Sequence, residues 1–252
     1  MRLAKYCRAL LLTSRRPMNI LLPPNSLLFW STLLAMSAML VAALWLAPWR
    51  QLAASQSRQH VFFAAIIALS LLWLLHVRVQ GIFAFHPMLI TVITMVFGLS
   101  LALLIGVCAL VLLEFYQLAV RHVQLDWHGA WQAFDLRSIP VDFCVGIAVP
   151  AAWAWCVLWL VNGWKFKNPF TYFLGVGFFG AMVGCLLMGS SAWLLFTLTN
   201  SLAHQIVVEE YFFVFFLMTF PEGFINGTIA TALTVLAPDL VKTYRDDWFL
   251  KD

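Results

Sequence analysis

The chain has 252 residues, 63% of them hydrophobic and only 10% charged, and its mean hydropathy is +0.90. Ordinary soluble domains are about 45–50% apolar and about a quarter charged, so a soluble globule of this length is excluded. The formal charge of +4 comes from basic residues dispersed among loop ends, which is no nucleic-acid face but does carry information on membrane orientation.

Residues 1–17 form a basic leader with Arg2, Lys5, Arg8, Arg15 and Arg16 around the brief run Ala9-Leu10-Leu11-Leu12. That run is too short for the apolar core of a secretory signal. Met18-Asn19-Ile20-Leu21-Leu22-Pro23-Pro24 reads as a second beginning, with translation expected to start at Met18 and residues 18–252 forming a single multi-pass domain. A first span covers 26–47 and stops at Pro48-Trp49-Arg50, with Trp45 and Trp49 as interfacial anchors. A second covers 61–77. The stretch from Met88 to Gln117 is long for one crossing and short for two, and Gly98-Leu99-Ser100 marks the expected break between a short helix and a longer one. A polar interval, 118–137, holds His122, Asp126, His128 and Asp135. Further spans are expected at 139–161, 170–200 and 206–238. Gly175, Gly177, Gly180, Gly184 and Gly189 in the sixth let helix backbones approach closely.

These runs are continuous and not alternating. A helix needs about 20 mainly apolar residues to cross the hydrocarbon core, and backbone in lipid must satisfy its own hydrogen bonds. The expected fold class is therefore an all-α integral membrane protein with about seven transmembrane helices. An odd number of crossings puts the termini on opposite sides. One side then holds Arg50, Arg58, Lys165, Lys167, Lys242, Arg245 and Lys251, and the other Arg78, Arg121 and Arg137. Positive-inside bias places the C-terminus in the cytoplasm and the N-terminus outside; the basic leader breaks this bias, so either translation begins at Met18 or the leader folds back inside.

Few residues offer chemistry. His86-Pro87 closes a short polar interruption, Arg78 to Met88, between two apolar segments. Proline suits the first turn of a helix and pushes the residue before it toward extended geometry, so His86 belongs to the loop at the helix mouth. It reads either as a site residue, because ionisable groups at a membrane boundary are site candidates, or as a cap. Glu114 reads as a pore-facing acid or as a helix-end residue reaching water. Glu209 and Glu210 suit a helix N-terminus. Glu222 and Asn226 share a helix face four residues apart, beside Pro221, and read equally as a functional acid or as a buried hydrogen-bonding pair; Pro221 could break that helix into the discontinuous form seen at transporter sites. The outer-loop pair His122 and His128 reads mainly as idle. His60, His76, His86 and His204 are the histidines a membrane haem protein would need. Cys7, Cys108, Cys144, Cys156 and Cys185 form no CxxC pair and indicate neither disulfides nor a zinc site. No Gly-Lys-Ser/Thr occurs, so an ATP-driven step needs another chain.

From Met18 onward the chain resembles the CbiM-like substrate-specific permeases of energy-coupling-factor ABC transporters for nickel or cobalt. The likeness is carried by Met18-Asn19-Ile20 with Pro23 behind it, by His86-Pro87-Met88-Leu89 with Gly98, by Asn168-Pro169-Phe170, and by Phe220-Pro221-Glu222-Gly223-Phe224-Ile225-Asn226-Gly227 with Ala237-Pro238-Asp239-Leu240. It points to an uncharacterised proteobacterial branch of that family. The resemblance implies a metal site built from the amine of Met18, Asn19 and His86, with Glu222, Asn226 and Glu114 as secondary candidates. Asn19 stands where the family has histidine, and a neutral amide is a weaker ligand than imidazole for these metals. The expected function is a substrate-binding subunit, not an enzyme, in the bacterial cytoplasmic (inner) membrane. It would import a divalent transition metal ion, surrounded by membrane lipid, with separate ATPase and transmembrane coupling subunits. The alternatives are a non-transporting membrane scaffold or assembly subunit with a decayed site and, further off, the haem protein.

Overall fold

The computed structural model describes residues 22–23, 26–74, 77–79, 83–124, 128, 136–164, 168–199 and 212–244. The first helix, α1 (Leu27–Leu46), opens at Ser26, whose hydroxyl accepts the Phe29 N–H at 3.2 Å and so satisfies one of the unpaired first-turn donors. It ends at Ala47, held extended by the proline that follows. A short α2 (Trp49–Ala53) leads to α3 (Gln56–Leu74). Next comes a hairpin of three-residue strands, β1 (Val77–Val79) and β2 (Phe83–Phe85), paired antiparallel with Val77 opposite Phe85. Then follow α4 (Ile90–Phe97), α5 (Leu99–Gln124), α6 (Ile139–Gly163), α7 (Thr171–Thr199) and α8 (Phe212–Leu236), and a 3₁₀ turn, Pro238–Leu240.

Among the described residues, five helices are long and apolar enough to cross a membrane: α1, α3, α5 over Leu99–Ala119, α6 and α7. The protein is thus all-helical apart from the hairpin among its described residues, with the dimensions of a multi-pass membrane protein. Large apolar side chains face outward, as they must in lipid: Leu27, Leu34, Val41, Leu44, Trp45 and Leu46 on α1 are all exposed. The centre belongs to the shortest of these later helices. Seven of the eight residues of α4 are buried, and it packs against α5, α6, α7 and α8.

The expected break at Gly98 is present. Gly98 has φ +80°, a conformation that side-chain-bearing residues rarely adopt, and it turns α4 into α5. The polar interval begins later than its composition suggested, because α5 continues to Gln124. In α6 the stretch Phe143–Ala148 is widened into a π turn, with the Val149 N–H donating to Cys144 O five residues back. Pro150 explains it: the ring crowds the preceding turn and supplies no N–H, so the helix ahead shifts its register. The same widening covers Thr171–Gly180 in α7, for which we have no local physical account.

Small residues seat α7 on α8. A Cβ on Gly177 would lie 3.2 Å from the Gly227 Cα, whereas one on Gly175 would meet nothing within 4 Å. Gly177→Leu is expected to lower stability by roughly 1–3 kcal/mol through overpacking, and Gly175→Leu to leave it unchanged. Thermal melting of the two variants in detergent, side by side, checks this; equal melting points would show that the seam does not depend on close backbone approach.

Candidate functional site

A helix that starts inside a protein leaves its first N–H groups without partners, and in a water-poor interior each must find an acceptor. For α4 the acceptors come from α8, more than 130 positions along the chain. Glu222 Oε2 accepts the Met88 N–H at 2.9 Å, and its Oε1 accepts the Leu89 N–H at 2.8 Å. Asn226 Oδ1 accepts the Val92 N–H at 2.9 Å. The amide of Asn226 in turn donates to Glu222 Oε1 and to Glu222 O, both at 2.8 Å, which locks the two side chains together. Both are buried.

Leu89 completes this arrangement. Its φ of 56° is left-handed, unusual for a branched side chain. Such a residue turns successive N–H groups to one side, forming a small concavity that suits an anion, and the Glu222 carboxylate fills it. Both carboxyl oxygens face donors, and the positive end of the α4 dipole lies beside them. Spacing alone marked Glu222 and Asn226 as one face; the structure adds what that face holds. Pro221, in contrast, does not break α8, which runs through it from Phe212 to Leu236. The interruption in regular structure falls instead at the irregular 86–89 segment that leads into α4.

The other end of α4 is tied down by the chain after α8. The Lys242 N–H donates to Val96 O at 2.9 Å, the Thr243 hydroxyl donates to Met95 O at 2.6 Å, and Tyr172 Oη lies 2.7 Å from Thr243 Oγ1. Both termini of the central helix are thus completed by residues 222–243.

His86 lies just ahead of this clamp, half-buried, with its ring 5.7 Å from that of Trp73 at the end of α3. Together with Met88, Glu114, Gln117 and Asp142 they line a cavity of about 30 Å³. That is room for one or two waters or a single ion, and too little for an organic substrate. Glu114 is buried here, not reaching water at a helix end. The Trp73 indole N–H is buried and has no hydrogen-bond partner among the described residues, so this wall offers a donor to an oxygen in the cavity. The residues do not form a finished metal centre: among the described residues, no three His, Cys, Asp or Glu side chains converge closely enough to hold one ion.

Of the residues singled out from sequence, the structure therefore brings His86 and Glu114 to one cavity and sets Glu222 and Asn226 behind its floor. Met18 and Asn19 lie outside the described residues, as do His76, Asp126, Asp135, His204, Glu209 and Glu210. Asp142 and Trp73 were not anticipated. The signal for Asp142 is an acid two positions after the proline that opens α6, but nothing in one-dimensional spacing relates it to Glu114. The chain matches no family model, curated protein or solved structure.

Glu222→Ala would orphan the buried Met88 N–H and the part-buried Leu89 N–H, at about 1–3 kcal/mol for the first and less for the second. Glu222→Gln is expected to be milder but still destabilising, since its NH₂ must face a donor. Amide exchange at Met88 and Leu89, measured with the melting point, should rise in the order wild type, Gln, Ala; unchanged exchange in the Ala variant would show that the clamp does not hold this backbone.

Proposed function

We infer that the protein is the substrate-binding subunit of an energy-coupling-factor type ABC transporter that imports a divalent transition metal ion across the bacterial inner membrane. The single observation that supports this best is an interrupted helix: an irregular segment carrying His86 leads into the short, buried α4 beside a cavity of single-ion size lined by Glu114, Gln117 and Asp142. Transporters build binding sites where a membrane helix is interrupted, because only there does the main chain have groups to spare. Imidazole and carboxylate are ligands that suit divalent metals.

In this reading there are seven crossings, formed by α1, α3, the 86–97 segment with α4, α5, α6, α7 and α8. The cavity then opens to the outer side, the turn at Gly98 lies at the cytoplasmic side, and the C-terminus is cytoplasmic. The Met18 amine and Asn19 join His86 as ligands, with Glu114 nearby as a charge-neutralising acid. Energy comes from a separate ATPase and a coupling subunit, since the chain has no phosphate-binding loop. Glu222 and Asn226 act through the backbone they hold, not as ligands.

A second reading is a non-transporting membrane subunit whose ligand site has decayed. Asn19 in place of histidine favours it, as does the lack of three converging ligands among the described residues.

Intact mass and metal content of protein purified from its native host separate the two. The transporter reading expects a mass that begins at Met18 and one bound divalent metal, with affinity lowered by at least about tenfold in His86→Ala. A mass that begins at Met1, without metal, would leave the scaffold reading.

A further inference from the structure

At the far end of α4 from His86, the connector 48–58, the Gly98 turn and the segment after α8 enclose a second cavity of about 20 Å³. Its polar side is Gln51, Arg58 and Lys242, and its apolar side includes Leu52, Phe97 and Leu101. Both cations are placed by main-chain contacts and not by carboxylates. An Arg58 guanidinium N–H donates to Asp239 O at 2.8 Å, which occupies one of its five donors. The Lys242 N–H is bonded to Val96 O, so its side chain departs from a fixed point and passes Gly98, with Nζ 3.3 Å from where a Cβ would sit.

Among the described residues, neither cation has an acidic side chain in ion-pair contact. Burial, and next the Arg58 charge, hold the Lys242 ammonium below the ordinary lysine range. Lys242 is exposed and Arg58 half-buried, so an anion from outside can reach both, and one lying between them relieves their mutual repulsion. The first turn of α5, a helix of 26 residues, reaches the same cavity through Leu101 and brings the positive end of its dipole.

The position of the cavity names the source of the anion. Here α1 ends at Leu46, α3 begins at Gln56 and α8 ends at Leu236. Trp45 is 86% exposed, and Trp49 anchors its indole N–H on Leu44 O at 2.7 Å. Tryptophans of this kind sit at the level of the headgroups, where lipid phosphate is the most abundant anion.

We propose that the mouth of this cavity is a lipid site, where the solvent-reachable heads of Arg58 and Lys242 grip the phosphate of an anionic phospholipid headgroup that stays outside the cavity itself. Basic pockets between membrane helices take such headgroups. The site is independent of whether the His86 cavity carries metal.

Native mass spectrometry of the full chain in detergent, titrated with phosphatidylglycerol or phosphatidylcholine, tests it. Phosphatidylglycerol should be retained in preference, and Arg58→Gln or Lys242→Gln should each weaken it about fivefold. Lys242→Arg should retain it, and Arg50→Gln, which alters a neighbouring cation outside the cavity, should change nothing. The Lys242 bond to α4 is made by main chain and survives these substitutions. On the unaltered chain, retention should fall as salt rises. Equal binding of both lipids, unchanged binding in Arg58→Gln and Lys242→Gln, insensitivity to salt, or displacement by inorganic phosphate at the lipid's own concentration would overturn the proposal; the last would assign the cavity to a free anion.

Discussion

The Glu222 carboxylate bonded to the N–H groups of Met88 and Leu89 is the contact on which the rest of the arrangement depends. Backbone that leaves helical geometry inside a membrane protein forfeits its internal partners, and nothing in lipid replaces them. Residues 86–89 are such backbone. One carboxylate and one amide, four positions apart on α8, replace three missing acceptors and fix where α4 starts. Without them, the chain would have to extend α4 backward through His86-Pro87, which the proline opposes.

That dependence ties together parts of the chain that are remote in sequence. The central helix has eight residues, too few to be stable alone in water, and its two ends are finished by α8 and by Lys242 and Thr243 beyond it. The middle of the fold therefore cannot assume its final form until α8 is in place. Close contact of Gly177 with Gly227 then brings α7 onto the back of α8, so the helix that clamps α4 is itself held by backbone packing.

Polarity is distributed accordingly. One end of the molecule gathers His86, Glu114 and Asp142 with Gln117 and the Trp73 indole around a cavity suited to a small cation or to water. The other end gathers Arg58 and Lys242 around a cavity suited to an anion. The eight-residue α4 separates them, with its dipole's positive end toward Glu222 and the acidic cavity, and its negative end toward Lys242.

Composition and the spacing of apolar runs were enough to determine that this is a helical, multi-pass protein, where most spans lie, and that Gly98 breaks a stretch too long for one crossing. These are local consequences of helix length, proline and glycine geometry, and the cost of polar groups in lipid. The same reasoning placed Glu222 and Asn226 on one face and His86 in a loop. It could not say what that face meets, because Glu222 and Met88 are 134 positions apart and no periodicity links them. It allowed a helix break at Pro221, which α8 absorbs; the interruption at 86–89, in the loop that His86-Pro87 predicted, is made tolerable by acceptors on α8 that no local pattern reveals. The approach of Asp142 to Glu114 and of Lys242 to Arg58 was likewise decided only in three dimensions, by how the helices pack around α4.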